Sequence, residues 1–293
     1  MAVADGADMT DHAARPGPLV PQGHQLRIRR RGTSFVRDVA GPPGAPTVIL
    51  LHGLGATAAV NWPGAFQALS GRFRVVALDH RGHGRGIRTT WPFRLEDCAD
   101  DAVGLAETLG IDRFIAVGYS MGGPVALLAA RRHPGRVAGM VLCATAARFS
   151  DEGNASPWDA ALATTLRVTP PVVRRYVTRS WVASLFRDGR LPPGLAEEVR
   201  HHDPAAIVEA TRAIRAFDAR SWAGKLGVPA TSVVTGRDRF VPPGRQLELA
   251  EVTGASIRRL DADHDVAFRH PARFLPVLLA ACEAVARQTS ARV

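Results

Sequence analysis

A serine stands at the centre of the run Gly118-Tyr119-Ser120-Met121-Gly122, with a glycine two positions to either side. A hydroxyl is a poor nucleophile at neutral pH and needs a neighbouring base to take its proton during attack. Its setting matters as much as its identity. Residues 114–117 form a short apolar run, the pattern of a fully buried strand. Residues 124–132 read as a helix whose proline lies near the first turn, where the missing N–H is not needed. The spacing therefore puts Ser120 on a sharp strand–turn–helix corner, the context that G-x-S-x-G requires to act as a nucleophile elbow. Glycine-sized neighbours leave room for so tight a turn. The hydroxyl is pushed out above the sheet, and the helix N-terminus offers backbone N–H groups to a developing negative charge. The chemistry this supports is acyl transfer through a covalent intermediate.

The elements that must position this serine alternate along the chain. Residues 26–30 and 34–39 read as two strands joined at Gly32, an antiparallel hairpin at one sheet edge. Residues 47–51 form a buried strand followed by His52-Gly53-Leu54-Gly55, and residues 62–69 a helix. Residues 74–78 are the next strand, ending in Asp79-His80-Arg81-Gly82-His83-Gly84-Arg85. Residues 95–109 carry apolar side chains at helical spacing and stop at Gly110. The acids Asp97, Asp100, Asp101 and Glu107 are expected on a solvated face. Further strands are expected at 137–143, 230–235 and 256–260. Between 146 and 220 the alternation lapses: prolines punctuate short helical stretches, among them 172–186 and 205–217. Strands alternating with helices imply a mainly parallel sheet covered on both faces. Ligands of such sheets bind beyond the carboxyl ends of the strands.

With the elbow in that context, the chain resembles the α/β-hydrolase superfamily, from about Leu26 to the last helix, and looks closest to its serine esterase and lipase-like members. The resemblance implies an α/β fold with a mostly parallel central sheet, helices on both faces and a helical cap insertion. It implies a core at 26–145 and 221–293 and a cap at 146–220; residues 1–25, rich in Gly, Pro, Ala and Asp, read by composition as a mobile arm. Carried over residue by residue, the Gly-x-x-Asp-x-x-Val/Pro loop maps to residues 236–242 and makes Asp238 the acid. The histidine after the last strand maps to His264, in the chain order Ser120, Asp238, His264 that this fold uses. The oxyanion donors map to the N–H groups of Leu54 and Met121. Asp79 to Gly84 match the family's Asp-x-Arg-Gly-x-Gly turn, although Arg85 stands where a serine is common. His264 would act as base and then acid, and Asp238 would fix its tautomer. The implied reaction is cofactor-free hydrolysis of a carboxylic ester with an apolar group. Acyl transfer, thioester hydrolysis and carbon–carbon cleavage by the same three residues stay open.

The remaining candidates have plainer readings. His52 is expected to be structural, Asp79 and Arg81 to hold their loop, and His80 and His83 not to form a metal site. His24, His133, His201 and His202 lack the position after a strand, and His270 precedes Pro271 at a helix start. Asp261, Asp263 and Asp265 are expected to shape the loop of His264. In the cap, Trp158, Trp181, Leu185, Phe186 and Ile214 either line a substrate pocket or pack the cap onto the core. The net charge of +10 is almost all arginine, Lys225 being the only lysine. It is read as a basic surface rather than a nucleic-acid site, since no zinc-finger spacing or aromatic RNA-binding pattern accompanies it. Three scattered cysteines suit a reducing, cytoplasmic setting better than a disulfide framework. The first ten residues lack the apolar stretch of a secretory signal, and no run reaches membrane-spanning length. The expected partner is a small-molecule ester or acyl substrate.

Overall fold

The computed structural model describes residues 20–151, 157–170, 172–173, 176–177, 180 and 197–291. An eight-stranded sheet runs through them in the order β1-β2-β4-β3-β5-β6-β7-β8. Its strands are β1 (His24–Ile28), β2 (Gly32–Val39), β3 (Thr47–Leu51), β4 (Arg74–Leu78), β5 (Phe114–Tyr119), β6 (Val137–Cys143), β7 (Ala230–Thr235) and β8 (Ser256–Leu260). The β1–β2 hairpin is antiparallel and joins β4 antiparallel, and every later pairing is parallel. This is the architecture that the alternating pattern predicts.

The sheet divides the core into two faces because successive strand side chains point to opposite sides. Ile49 and Leu51 of β3 join the cluster formed with α3 (Leu95–Thr108) and α4 (Gly122–Arg132). Val48 and Leu50 join the other, with α2 (Ala65–Ser70) and the C-terminal helix. Both faces are covered by buried apolar side chains, so the inner strands read as largely apolar runs rather than as an alternation.

Local differences from the sequence reading have local causes. β1 begins at His24, inside the expected arm, because His24 and Gln25 pair with Val36 and Phe35. Arg30 instead turns the hairpin at φ 60°. The helix expected at 62–69 starts only at α2, after the turn Trp62-Pro63-Gly64, where Gly64 takes φ 77°, and a short helix that the sequence reading did not include, α1 (Ala58–Asn61), precedes that turn. Asp101 of α3 is not on a solvated face. Its carboxylate is 1% exposed and accepts from Arg31 and Arg81, so α3 turns that acid toward the β1–β2 turn and the loop after β4. Between β6 and β7 come α5 (Pro157–Val168) and α6 (Pro204–Ala216), with no strand among the described residues. The α6 start differs by one residue from the sequence reading because Asp203 caps it through the N–H of Ala205. The helix expected at 172–186 lies mostly outside the described residues. A short helical turn at Ala223–Lys225 leads to β7. Three further helices complete the chain: α7 (Pro243–Thr253), α8 (Val266–Arg269) and α9 (Pro271–Ser290). No helix among the described residues is long and apolar enough to cross a membrane.

At the elbow, β5 runs two residues further than its apolar stretch and α4 begins two residues earlier. Only Ser120 and Met121 separate them. The tightness comes from backbone contact: a Cβ on Gly122 would strike the carbonyl of Leu51, and one on Gly118 would strike the carbonyl of Gly122. Backbone cannot yield as a flexible side chain can, so Gly122→Ala is expected to destabilise the fold by about 3 kcal/mol, measured as a lowered midpoint in urea unfolding.

Candidate active site

Ser120 sits in the left-handed region at φ 52°, a conformation uncommon for a residue with a Cβ. Its surroundings hold it there. Its N–H donates to the Cys143 carbonyl at 2.9 Å. Its own carbonyl accepts from Gly123 N–H at 2.9 Å and from the Thr145 hydroxyl at 2.7 Å. The side chain is left projecting beyond the carboxyl end of β5.

His264 follows β8 on a loop tied to the elbow on one side and to the loop after β7 on the other. Its carbonyl accepts from the Tyr119 hydroxyl at 2.6 Å, and its N–H donates to Asp263 at 2.7 Å. Asp263 also accepts from Arg239 N–H at 3.2 Å, so one carboxylate joins the loops after β7 and β8. Burial alone would raise the Asp263 carboxyl. The N–H bonds from His264 and Arg239 outweigh it and hold the group below its ordinary value.

Asp238, fully buried in its side chain, completes the cluster. Its Oδ1 accepts from the N–H groups of Phe240 at 2.9 Å and Val241 at 2.8 Å. Its Oδ2 accepts from the Thr235 hydroxyl at 2.7 Å and from Gln246 Nε2 at 3.2 Å. The same oxygen faces His264 Nδ1 at 2.7 Å, and His264 Nε2 faces Ser120 Oγ at 3.0 Å. With Nδ1–H donating to a carboxylate, Nε2 is the acceptor that faces the hydroxyl.

The loop after β3 lies beside the serine. A Cβ on Gly53 would stand 3.3 Å from Ser120 Cβ, and Gly53 N–H donates to Asn61 at 2.8 Å. Among the described residues, the N–H groups of Leu54 and Met121 donate no hydrogen bond. The structure thus brings Ser120, His264, Asp238 and the loops of Leu54 and Met121 to one edge of the sheet. It does not bring Ile214 to that edge. Ile214 packs into the core with Ala210 and Phe217. Trp181, Leu185 and Phe186 lie outside the described residues.

Thr235, Gln246, Tyr119 and Thr145 escaped the sequence reading. Thr235 carried a usable signal, as the last residue of a strand three positions before an acid. Gln246, one turn into α7, carried none.

Next to this cluster four imidazoles are packed together. The His52 ring centroid lies 4.4 Å from that of His80 and 5.3 Å from that of His83, and His83 lies 5.4 Å from His202. His52 accepts from His80 N–H at 2.9 Å and donates to the Gly53 carbonyl at 2.8 Å, which fixes its tautomer and leaves no nitrogen free to act as a base. His202 accepts from Gly84 N–H at 2.7 Å and donates to the Gly55 carbonyl at 3.0 Å. No group of histidines, cysteines or acids among the described residues is arranged to hold a metal. Asp79 does hold its loop, accepting from Ala58 N–H and Arg85 N–H, both at 3.0 Å. Arg81 instead reaches Asp101 on α3, through two 2.8 Å bonds.

Comparison with known proteins adds a family and several relatives. The model of the alpha/beta hydrolase fold matches residues 46–271. A putative carbamate hydrolase, RutD, of Caulobacter sp. (strain K31) is 43% identical over 108 residues, 36% of this chain and 40% of that protein. A pimeloyl-[acyl-carrier protein] methyl ester esterase of Neisseria meningitidis is 30% identical over 208 residues, 69% of this chain and 65% of the relative. In both cases the match spans less than two thirds of the relative's length. Among solved structures, the enol-lactonase from Burkholderia xenovorans LB400 superposes with a TM-score of 0.71 at 27% identity, covering 88% of this chain and 98% of that one.

The imidazole cluster makes stability depend on pH. Burial depresses all four rings, His80 to about 3 and His202 to about 4, with His52 and His83 also well below the usual value. The unfolded chain binds protons at these rings below about pH 6.5, whereas the folded chain refuses them. The native state is therefore undisturbed above that pH and loses stability as pH falls toward 4, where His202 itself titrates. A ring neutral down to pH 4 forfeits about 2 kcal/mol at pH 5. Urea unfolding between pH 7 and about 4.5 is expected to show a steep loss of stability, made shallower by roughly one proton in His202→Gln.

Proposed function

This chain belongs to the α/β-hydrolase family, and from that premise we propose that it is a cofactor-free serine hydrolase of carboxylic esters. The observation that carries the reading is the unbroken relay from Ser120 Oγ to His264 Nε2 at 3.0 Å and from His264 Nδ1 to Asp238 at 2.7 Å. The esterase and the lactonase among its relatives are both named for cleaving an ester bond, which supports the same bond as substrate here.

In this reading Ser120 Oγ attacks the ester carbonyl carbon while His264 Nε2 takes its proton. Asp238 holds the imidazole in the required tautomer and stabilises the cation that forms. The carbonyl oxygen becomes an oxyanion between the N–H groups of Leu54 and Met121, whose fixed dipoles need no reorganisation as the charge appears. Losing one such donor raises the barrier by about 3 kcal/mol. The imidazolium returns its proton to the departing alcohol, and a water then repeats the sequence to release the acid. Residues 146–220 serve as the cap over this edge, and three free, buried cysteines fit a cytoplasmic setting.

Ser120→Ala keeps the turn and removes only the hydroxyl. It is expected to lower kcat/KM for p-nitrophenyl butyrate at least about a thousandfold with an unchanged circular dichroism spectrum, and to abolish labelling by a fluorophosphonate probe. Retained turnover in the folded variant would refute the assignment.

A further inference from the structure

Phe240 is 81% exposed, although it is a large apolar side chain on the loop that supplies Asp238. The backbone beneath it is fixed. Its N–H donates to Asp238 Oδ1 at 2.9 Å, the next N–H does so at 2.8 Å, and Val241 is buried. The ring belongs to neither core cluster. It lies instead against the imidazole of His264, with ring centroids 5.4 Å apart and planes tilted by 51°. An aromatic ring anchored at its root, bare to solvent and touching a proton-carrying imidazole is arranged as a surface for something that arrives from outside. The charges beside it are paired: Arg237 with Asp261 at 2.8 Å and Arg239 with Asp263 at 3.9 Å. The rim is locally neutral and suits an uncharged group.

The reaction decides which part of an ester meets that ring. Ser120 Oγ bonds to the carbonyl carbon and its proton passes to His264 Nε2. The bond from that carbon to the alcohol oxygen then breaks, and the same proton moves from Nε2 to that oxygen. The alcohol must therefore lie on the imidazole side of the carbonyl, while the oxyanion lies toward Leu54 and Met121. We propose that Phe240 is a specificity-determining residue that contacts the alcohol portion of the ester and favours apolar, aromatic alcohols over small ones. The inference rests on the relay of Ser120, His264 and Asp238 proposed above. It assigns no contact to the acyl portion, so it separates selection of the alcohol from selection of the acid.

Two ester series test it in the parent protein, in Phe240→Ala and in Phe240→Tyr. One series holds the acid as butyrate and varies the alcohol between methyl and benzyl, which have similar acidity. The other holds the alcohol as methyl and lengthens the acid. In Phe240→Ala the benzyl-to-methyl ratio of kcat/KM is expected to fall about three- to tenfold, the range of an aromatic contact. The dependence on acid length should keep its shape, and Phe240→Tyr should retain the benzyl preference. An unchanged benzyl-to-methyl ratio in Phe240→Ala, or a shift in the acid-length profile instead, would overturn the assignment. If the parent protein shows no turnover that Ser120→Ala removes, the hydrolase reading itself fails and this inference falls with it.

Discussion

The approach of bare backbone at the elbow is the constraint on which the rest of the site depends. Gly118, Gly122 and the carbonyl of Leu51 meet at distances that leave no space for a Cβ. That contact joins the end of β3, the end of β5 and the start of α4 into one rigid corner, and it lets Ser120 hold φ 52° without collapsing into the sheet. Strain of this kind persists only where the surroundings over-determine it. Here they do so through Cys143, Thr145 and Gly123, each bonded to the serine backbone. The hydroxyl is thereby a fixed point, and the other groups are brought to it.

They arrive on loops that would wander if left alone. The loop of Asp238 is closed over its own carboxylate, which accepts from two backbone N–H groups, a hydroxyl and an amide besides the imidazole. A buried carboxylate is tolerable only with its lone pairs met, and each partner also fixes its direction. The loop of His264 is tied to the first fixed point by Tyr119 and to the second by Asp263. The geometry is consequently a closed circuit of hydrogen bonds rather than side chains meeting by virtue of rotamer alone.

How much of this was legible in the sequence depended on the range of the signal. The runs of β3, β4, β6 and β7 have the same bounds in sequence and structure, because a strand covered on both faces needs a largely apolar string; β8 keeps its bounds too, although it is an edge strand whose Ser256, Ile257 and Arg259 are exposed. Ser120, Asp238 and His264 were singled out by the local company they keep: a glycine pattern, a loop pattern and a position after the last strand. The structure brings those side chains together, and Ser120 alone had its chemistry argued from its own neighbourhood. What was illegible is what depends on partners distant in the chain. Asp101 reads as one more surface acid until Arg31 and Arg81 are seen to converge on it. Gln246 reads as an ordinary helical residue until its amide is found bridging Thr235, Asp238 and Val241. The turn at Trp62-Pro63-Gly64 is different: a proline and a glycine announce it in the sequence, yet the expected helix was begun at Trp62 rather than after Gly64.

His202 has a mechanical implication for the segment that follows β6. Its ring spans the two loops, accepting from Gly84 on one and donating to Gly55 on the other, and the adjacent Asp203 N–H is bonded to the Gly82 carbonyl at 2.8 Å. The downstream root of that segment is thus riveted to the rim of the sheet at three backbone points. Residues 202–203 can therefore leave the rim only if the bonds to Gly55, Gly82 and Gly84 break together.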